Sequence, residues 1–404
     1  MNSTPQNFDG LGISPNLLAQ LDKLKFHTPT PIQAKAIPVA ITGKDMIGIA
    51  QTGTGKTLAF GIPLIQRLAT LQATAQGLIL LPTRELAEQV ELSLKKFIPN
   101  LPIALVIGGV SPKTQVNQLR KNPKLIIATP GRLIDLMQSG FVSLKNIAIL
   151  ILDEADRMLD MGFIPQINKI IATTPKQKQV LLFSATMPPA IAKLATNYMQ
   201  LPLRVEVAPA GTTSKMVEQE IFVVAQDAKT QLLEKILGEY KGSVLIFTRT
   251  KHAARKLATT IRSMGYTADE IHSNRSLSQR RNALAGFKSG KYQILVATDI
   301  AARGIDVVGI ELVINYDLPE NPEDYTHRIG RTGRANHAGK AISFTTPQQI
   351  RKINEIEKTI HTRLSVSKTP TDLPPKRAVA KSSPERNFSS FKGGGNQRFR
   401  GRRF

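Results

Sequence analysis

The chain has 404 residues, enough for two or three domains, because a single hydrophobic core rarely grows beyond about 250 to 300 residues. Its formal net charge of +24 indicates a polyanionic partner, either nucleic acid or an anionic membrane surface. The absence of cysteine excludes disulfides and thiolate metal sites and is typical of a reducing cytosol. The start, MNSTPQNFDG, does not resemble a secretion signal, and apolar runs of about six residues are too short to span a membrane, so we expect a cytoplasmic protein.

Short aliphatic runs predict buried strands, and amphipathic segments between them, such as Glu85 to Phe97, predict helices. The first series of predicted strands comprises Asp45 to Ala50, Gly77 to Leu81, Ile103 to Ile107, Leu125 to Ala128, Ile149 to Leu152 and Val180 to Phe183. The second series comprises Glu220 to Val224, Ser243 to Thr248, Gln293 to Ala297, Leu312 to Asn315 and Ala341 to Phe344. This alternation predicts two α/β domains, each with a mainly parallel sheet flanked by helices.

Two changes of composition mark the predicted boundaries. Residues 207–217, VAPAGTTSKMV, interrupt both patterns and predict a short linker. Residues 366–404 carry ten Lys and Arg against two Asp and Glu, and we expect them to form a disordered basic tail because such a composition cannot bury a core. The predicted organisation is an N-terminal arm (1–25), a first domain (26–206), the linker (207–217), a second domain (218–365) and the tail (366–404).

The stretch AQTGTGKT, residues 50–57, lies between a predicted strand and a predicted helix and matches the phosphate-binding loop pattern except at Ala50. In such a loop, glycines let backbone N–H groups surround phosphate oxygens, the lysine reaches the β- and γ-phosphates, and the next hydroxyl binds Mg²⁺. A plain glycine-rich turn is the alternative. The predicted ATP-binding residues are Gln51, Thr52, Gly53, Thr54, Gly55, Lys56 and Thr57, of which Thr57 is also a predicted metal ligand.

The stretch ILILDEAD, residues 149–156, places three carboxylates at the end of a buried strand. Open α/β sheets bind ligands at this edge. We predict that Asp153 holds Mg²⁺, that Glu154 accepts a proton from the water attacking the γ-phosphate, and that Asp156 is a structural or coupling carboxylate. A solvated acidic turn is the alternative.

These two motifs and several others, in the same order, resemble the DEAD-box ATP-dependent RNA helicases of superfamily 2. The others are FHTPTPIQ (26–33), PTREL (82–86), GG (108–109), TPGR (129–132), SAT (184–186), LIFTRT (245–250), ATDIAARGID (297–306) and HRIGRTGR (327–334). The resemblance covers roughly Phe8 to Phe344 and implies two tandem RecA-like domains joined by a short linker. Two positions depart from the family pattern: Lys25 replaces a glycine, and Leu277 lies where a glutamine is often found.

The resemblance also implies roles for individual residues. Phe8 and Phe26 would serve the adenine end of the ATP site, with Phe26 stacking on the base, Gln33 bonding its edge and Asp306 bonding the ribose. Arg331 and Arg334 would be arginine fingers that complete the catalytic set with Lys56 and Glu154 when the domains close. The residues expected to couple ATP to RNA are Asp156, Ser184, Thr186 and His327. The implied RNA contacts are Pro82, Thr83, Arg84, Gly109, Thr129, Gly131, Arg132, Arg249, Thr298 and Arg303.

The implied activity is RNA-stimulated ATP hydrolysis, with ATP and Mg²⁺ as cofactors, coupled to local, non-processive unwinding of short RNA duplexes and remodelling of RNA–protein complexes. RNA binding is expected to be largely independent of sequence and sensitive to salt, because most of these residue types contact phosphates and 2′-hydroxyls. The alternatives are an ATP-gated RNA clamp or annealing platform, a DNA translocase, and a nucleotide kinase or transporter ATPase.

The short arm and brief tail are most similar to the small bacterial RhlE-like members of the family. The implied duties are ribosome assembly, RNA decay or cold adaptation, with ribosomal or RNA-decay proteins as partners and no membrane. We expect a monomer and leave open both oligomerisation through the tail and the role of the tail itself. Its phenylalanines and arginines favour holding structured RNA near the core, and a flexible solubilising end is the alternative.

Overall fold

The computed structural model describes residues 7–51, 53–72, 74, 76–207, 217–302, 307, 309–333, 338–370 and 372–374. These residues form two α/β lobes, each built on a seven-stranded sheet whose strand pairs are all parallel. The predicted fold of two tandem RecA-like domains is therefore confirmed. No helix in the described ranges combines the length and apolar character needed to cross a membrane.

The described part of the first lobe contains seven strands and nine helices. Its strands are β1 (Met46–Ile49), β2 (Gln76–Leu80), β3 (Ile103–Val106), β4 (Leu125–Ala128), β5 (Ile147–Leu152), β6 (Gln179–Ser184) and β7 (Leu203–Glu206). Its helices are α1 (Pro15–Lys23), α2 (Pro31–Ile41), α3 (Lys56–Thr70), α4 (Arg84–Phe97), α5 (Pro112–Leu119), α6 (Pro130–Gln138), α7 (Ala155–Asp160), α8 (Ile164–Ala172) and α9 (Pro189–Tyr198).

The second lobe has the same plan with fewer helices among its described residues. Its strands are β8 (Val217–Val223), β9 (Val244–Thr248), β10 (Ala268–Ile271), β11 (Ile294–Thr298), β12 (Leu312–Asn315), β13 (Gly339–Thr345) and β14 (Ser365–Ser367). Its helices are α10 (Lys229–Glu239), α11 (Lys251–Ser263), α12 (Leu277–Lys288), α13 (Asp299–Ala302), α14 (Pro322–Ile329) and α15 (Ile350–Ile360), with a 3₁₀ turn at Pro347–Gln349.

The strand order places the aliphatic runs, except that of the edge strand β3, inside the two sheets. It is β3-β4-β2-β5-β6-β1-β7 in the first lobe and β10-β11-β9-β12-β13-β8-β14 in the second. In the first lobe, Leu150 of β5 lies opposite Leu78 of β2 and Val180 of β6. Each sheet is covered by a separate apolar cluster on each of its two faces, as expected for strands that are apolar on both sides.

The described part of the predicted N-terminal arm, residues 7–25, does not stand apart from the first lobe. Phe8, Leu11, Leu17 and Leu21 are buried in the core of the first lobe, and residues 15–23 form α1. The described part of the predicted arm is therefore a packed portion of the lobe, because its apolar residues cover one face of the sheet.

The end of the second lobe also differs from the prediction. Ser365–Ser367 pair with β8 as strand β14, Leu373 packs on the apolar cluster of the lobe, and Gln231 donates to the carbonyl oxygen of Pro374. Residues 366–370 and 372–374 thus belong to the second lobe, where the sequence predicted a disordered tail. The prediction for residues 375–404, and that for linker residues 208–216, lie outside the described residues.

Candidate nucleotide and RNA site

The carboxyl ends of the strands in the first lobe form one edge that divides into two halves. The phosphate loop follows β1, the DEAD stretch follows β5 and SAT closes β6, and these three strands are neighbours. PTREL, GG and TPGR follow β2, β3 and β4, which are neighbours at the other side of the sheet. The fold therefore gathers six separated motifs along one edge, in two groups of three.

The phosphate loop depends on two glycines with left-handed backbone. Gly53 has φ 83° and Gly55 has φ 91°, and residues with a Cβ rarely adopt this left-handed backbone conformation. A Cβ at Gly55 would also lie 2.6 Å from Nε2 of Gln33. The loop then leads into α3, which begins at Lys56, so the positive end of the helix faces the space above the loop.

Gln33 connects the predicted adenine-reading element to this loop. Its Nε2 donates to the carbonyl oxygen of Gly55 at 3.0 Å, and its Oε1 accepts from the N–H of Thr30 at 2.9 Å. Gln33 is buried, and its amide retains one N–H and one lone pair for a ligand. The same side chain therefore supports the loop and remains able to bond a base.

The two predicted aromatic residues at the adenine end lie in different environments. Phe26 is 44 % exposed and lines the cavity above the phosphate loop. Phe8 is 4 % exposed and packs in the core of the first lobe. Phe8 is not among the described residues that line the cavity, and its predicted role at the adenine end stays a prediction.

Lys56 and Asp153 face each other at the base of the cavity. Lys56 Nζ lies 3.6 Å from Asp153 Oδ1, and both side chains are almost fully buried. The ammonium has no hydrogen-bond partner among the described residues. Burial raises the pKa of Asp153 to about 6, because it outweighs the lowering effect of the Lys56 charge, and the nearby Glu154 adds to the rise. A buried cation with unused donors at a phosphate loop fits a nucleotide phosphate.

The same place fits a magnesium ion bound together with phosphates. Nowhere in the described ranges do three His, Cys, Asp or Glu side chains come together as a metal site. The Asp153 carboxylate and the Thr57 hydroxyl would therefore need phosphate oxygens and water to complete a six-oxygen shell, which is the usual way in which proteins bind Mg²⁺ with nucleotides.

Glu154 is held by a residue that the sequence analysis missed. Its backbone is left-handed (φ 54°, ψ 51°), an uncommon conformation for a glutamate, and Arg157 Nη1 donates to its Oε2 at 2.9 Å. Both side chains are at most 5 % exposed. The i, i+3 spacing of Glu154 and Arg157 on a helical turn is the signal that could have revealed the pair.

Asp156 ties the DEAD stretch to SAT. Its Oδ2 accepts from the N–H groups of Ala185 and Thr186, both at 2.9 Å, and its own N–H donates to Ser184 Oγ at 3.1 Å. Burial alone would raise the pKa of this carboxyl, but the charges of His327, Lys56 and Arg157, with the Thr186 hydrogen bond, lower it overall. Three of the four predicted coupling residues thus form one bonded cluster, and the fourth, His327, acts on it electrostatically from the second lobe.

The second lobe contributes Arg331 to the nucleotide cavity. This cavity has a volume of about 560 Å³, and its lining includes Gly53, Lys56, Asp153 and Glu154 from the first lobe together with Arg331. Arg331 is 3 % exposed. The predictions for Thr52, Arg303, Asp306 and Arg334 lie outside the described residues.

Arg328, in the same motif as Arg331, has a structural position. Its guanidinium donates to both carboxylate oxygens of Asp299, at 2.5 and 2.7 Å, and to Asn315 Oδ1 at 3.0 Å. It also lies over the ring of Phe247 at 5.0 Å. With all these partners inside its own lobe, Arg328 anchors α14 to the sheet and thereby positions the loop that carries Arg331.

The predicted RNA-contacting residues of the first lobe lie on the β3-β4-β2 half of the edge. Thr83 caps α4 by accepting from the N–H of Leu86, Arg132 Nη1 donates to the Val110 carbonyl oxygen at 3.1 Å, and Gly109 is exposed with φ 80°. The set comprises Pro82, Thr83, Arg84, Gly109, Thr129, Gly131 and Arg132. In the second lobe, Arg249 follows β9 and Thr298 ends β11, which is its neighbour.

Two ion pairs and one apolar contact join the lobes beside this half. Arg280 of α12 lies 3.0 Å from Glu85 of α4, with both side chains at most 12 % exposed. One turn further along α4, Arg281 pairs with Glu88. Leu277, one of the two departures from the family pattern, is buried in the apolar cluster of the first lobe. The departure therefore replaces a polar side chain with an apolar contact between lobes.

Comparisons with known proteins agree with this arrangement. Residues 30–194 match the DEAD/DEAH box helicase family, and residues 228–336 match the helicase conserved C-terminal domain. The chain is 41 % identical over 367 residues to the DEAD-box ATP-dependent RNA helicase CshA of Geobacillus kaustophilus, covering 90 % of this chain and 79 % of that protein. It is also 41 % identical over 379 residues to the ATP-dependent rRNA helicase RRP3 of Debaryomyces hansenii, covering 93 % and 78 %.

A solved structure provides the matching geometry. S. cerevisiae Dbp5 bound to RNA and ADP BeF3 superposes with a TM-score of 0.82 at 31 % identity, covering 91 % of this chain and 96 % of that one. The chain therefore belongs to the DEAD-box ATP-dependent RNA helicases. The predicted activity, ATP use and RNA binding are confirmed at this level. The RhlE-like subgroup, the protein partners, the oligomeric state, the cellular location and the pathway stay predictions.

Proposed function

We propose that the chain separates short RNA duplexes locally by closing its two lobes around ATP and one RNA strand. The observation that carries the proposal is the position of Arg331, a residue of the second lobe, in the cavity that holds Lys56 and Asp153 of the first. A cavity built from both lobes is complete only when they are together. ATP binding and lobe closure are therefore thermodynamically linked, and a ligand that favours one favours the other.

In this proposal, the nucleotide is held at both ends by the first lobe. Phe26 stacks on the base, and the remaining N–H and lone pair of Gln33 bond its edge. The N–H groups around Gly53 and Gly55 and the ammonium of Lys56 bind the phosphates, and the neighbouring residues Gln51, Thr52 and Thr54 complete the loop. Asp306 of the second lobe is assigned to the ribose from the family resemblance.

Glu154 is the proposed general base for the attacking water. Arg157 keeps its carboxylate in one orientation through a charge-assisted hydrogen bond, so that the oxygen that would accept the proton stays beside the phosphate loop. Asp153 and Thr57 would hold Mg²⁺, which when bound supplies positive charge to the phosphate oxygens. Arg331, with Arg334 assigned from the resemblance, stabilises the charge that develops on the γ-phosphate from the opposite side.

The β3-β4-β2 half of the edge, with Arg249, Thr298 and Arg303 of the second lobe, is the proposed RNA groove. Backbone N–H groups, glycines and arginines at this half suit phosphates and 2′-hydroxyls and do not read base edges. Closure bends the bound strand out of the duplex geometry, and the Asp156 cluster with His327 links this groove to the nucleotide. Reopening follows hydrolysis, because the γ-phosphate no longer connects Lys56 to Arg331.

Replacing Glu154 by Gln tests the chemical step. The amide keeps the size of the side chain but cannot accept the proton, so RNA-stimulated kcat for ATP should fall by about 10²- to 10⁴-fold while ATP and RNA still bind. The measurement is phosphate release at saturating RNA, with nucleotide binding as the control. Turnover at the parental rate would remove Glu154 from the role of base.

The proposed unwinding is separated from an ATP-gated clamp by a second assay on the unchanged protein. A short labelled strand should be released from a duplex in the presence of ATP, and release should fall steeply as the duplex lengthens, because each closure disrupts only the bound segment. RNA-stimulated hydrolysis without strand release would identify a clamp instead. Matched RNA and DNA strands in the same ATPase assay would separate either from a DNA translocase.

A further inference from the structure

A second polar cavity, of about 410 Å³, lies on the second lobe apart from the nucleotide site. Its lining comes from the length of α11, the end of β10, the loop that leads to α12 and the first turn of α12. Among the described residues, four cationic side chains and a single carboxylate contribute to it: Lys251, Arg255, Arg262, Arg275 and Glu270. The nucleotide site and the predicted RNA contacts use none of them.

The one carboxylate of this described lining is already bound. Arg262 Nη1 donates to Glu270 Oε2 at 3.1 Å, and Arg275 lies 3.5 Å from Glu270 Oε1 while donating to Asp269 at 2.5 Å. Within the described residues, Lys251 and Arg255 have no carboxylate partner, and Lys251 Nζ donates only to Asn274 Oδ1, at 3.0 Å. The cavity therefore keeps an excess of positive charge that its own acidic residues do not neutralise.

His272 adds an unpaired polar group to this wall. It is 4 % exposed and lines the cavity, and neither ring nitrogen has a hydrogen-bond partner among the described residues. A buried polar group without a partner is destabilising, so its presence points to a ligand that satisfies it. Burial lowers the pKa of His272 more than the Glu270 charge raises it, and Arg275 and Arg255 lower it further. The neutral ring has one N–H to donate.

The cavity adjoins the edge of the second sheet where the strands have their carboxyl ends, and the predicted RNA contacts of this lobe lie at the same edge. β10, β11 and β9 are neighbours, and their carboxyl ends carry His272, Thr298 and Arg249. Lys251 is only two residues beyond Arg249, at the start of α11, where the helix dipole adds positive potential. A strand held by Arg249 and Thr298 that continues toward the edge strand β10 would arrive at this cavity.

We propose that this cavity binds a phosphate group, supplied by the RNA strand where it continues past the groove between the lobes. Lys251 and Arg255 provide the charge, and the His272 N–H provides a buried donor. The proposal rests on the proposed RNA groove for the source of the phosphate. A free oligophosphate has the same chemistry, so the test includes it as a separate source.

The test compares two charge reversals one residue apart on α11. Arg255 lines the cavity and Lys256 does not, and both are exposed. Arg255→Glu and Lys256→Glu change the net charge equally, so a difference between them reports the cavity rather than the overall field. Both variants are checked by thermal melting, and binding of single-stranded RNA of about 6 and about 20 nucleotides is measured with an ATP analogue present.

We expect Arg255→Glu to weaken binding of the long strand about 10-fold or more, and more than that of the short strand. The slope of log affinity against log salt should become shallower by about 0.7 for each phosphate that the cavity no longer binds. Lys256→Glu should weaken both strands equally and by less. Inorganic tripolyphosphate is titrated in parallel against the melting temperature. Tripolyphosphate could stabilise the parent and the Lys256→Glu variant but not the Arg255→Glu variant, while RNA binding by Arg255→Glu shows no dependence on strand length. This result would support the phosphate site and identify a free oligophosphate as its ligand.

Equal effects of the two reversals on both RNA lengths, together with no tripolyphosphate effect that depends on Arg255, would overturn the proposal. This failure differs from failure of the proposed function. If the parent protein showed no RNA-stimulated ATPase at all, the RNA groove would be wrong, while the tripolyphosphate experiment would still test the cavity. To confirm that charge and not size is responsible, Arg255→Lys should retain most of the long-strand affinity.

Discussion

The two halves of the carboxyl edge in the first lobe differ in residue type and in the burial of their charged side chains. At the β5-β6-β1 half, Lys56, Asp153, Glu154 and Asp156 are all at most 6 % exposed, and each has a defined charged or hydrogen-bonding neighbour. At the β3-β4-β2 half, Gly109 and Gly131 are exposed, Arg84 and Arg132 are partly exposed, and Arg132 is oriented by a hydrogen bond to the backbone. Buried charges are suited to a chemical step, and exposed donors are suited to a repetitive polyanion.

The comparison predicts that damage at the first half appears in kcat and damage at the second appears in RNA affinity. The largest effect is expected for Arg331→Ala. Its loss removes the charge that the second lobe brings to the γ-phosphate, so RNA-stimulated kcat should fall by about 10³- to 10⁵-fold. The measurement is steady-state ATPase at saturating RNA. Arg351→Ala, an exposed arginine on α15, is the matched control, and a similar rate for both variants would contradict the shared cavity.

Arg157→Gln should have the next largest effect. It removes a charge-assisted hydrogen bond of about 1.5–3 kcal/mol to Glu154, so kcat should fall by about 10- to 150-fold with little change in the half-saturating ATP concentration. Arg157→Lys, which keeps the charge, should recover part of the rate. Loss of melting temperature without loss of kcat would instead make Arg157 a purely structural residue.

A smaller effect is expected at the other half from Arg132→Ala. Arg132 donates to the backbone beside Gly109, and the proposed role is a phosphate contact. The RNA concentration for half-maximal ATPase should rise several-fold, and the slope of log affinity against log salt should fall by about 0.7. Asp135→Ala, which removes the carboxylate 3.9 Å from Arg132, is the control and should leave that slope unchanged or steeper. A decrease in kcat without a change in RNA affinity would contradict the proposed phosphate contact of Arg132.

The sequence predicted the strands that are apolar on both faces and missed three that are not. Strands β7, β10 and β14 lie at sheet edges, and their sequences LRVE, ADEI and SVS carry polar residues. An edge strand has only one bonded neighbour and partial burial, so it needs no aliphatic run. The apolar residues of the N-terminal segment are scattered along the sequence. Their burial depends on contacts with the rest of the first lobe, which local sequence patterns do not reveal.

For the site, motif spacing predicted which residues gather at the edge, because parallel strands bring their carboxyl ends together. It did not predict the hydrogen-bond and packing partners of those residues. Arg157 became a neighbour of Glu154 through a left-handed backbone at Glu154, and Phe8 entered the core of the lobe. Within a single arginine-rich motif, only tertiary contacts separate the anchor Arg328 from Arg331, which lines the nucleotide cavity.

The distance between the lobes is the most direct test of the account. Because the chain has no cysteine, the double substitution Lys113→Cys and Lys358→Cys places one dye on an exposed position of each lobe. Single-molecule energy transfer should show one distance distribution with RNA and an ATP analogue together, and a broader or longer one without them. An identical distribution under both conditions would contradict an ATP site that is assembled by closure of the lobes.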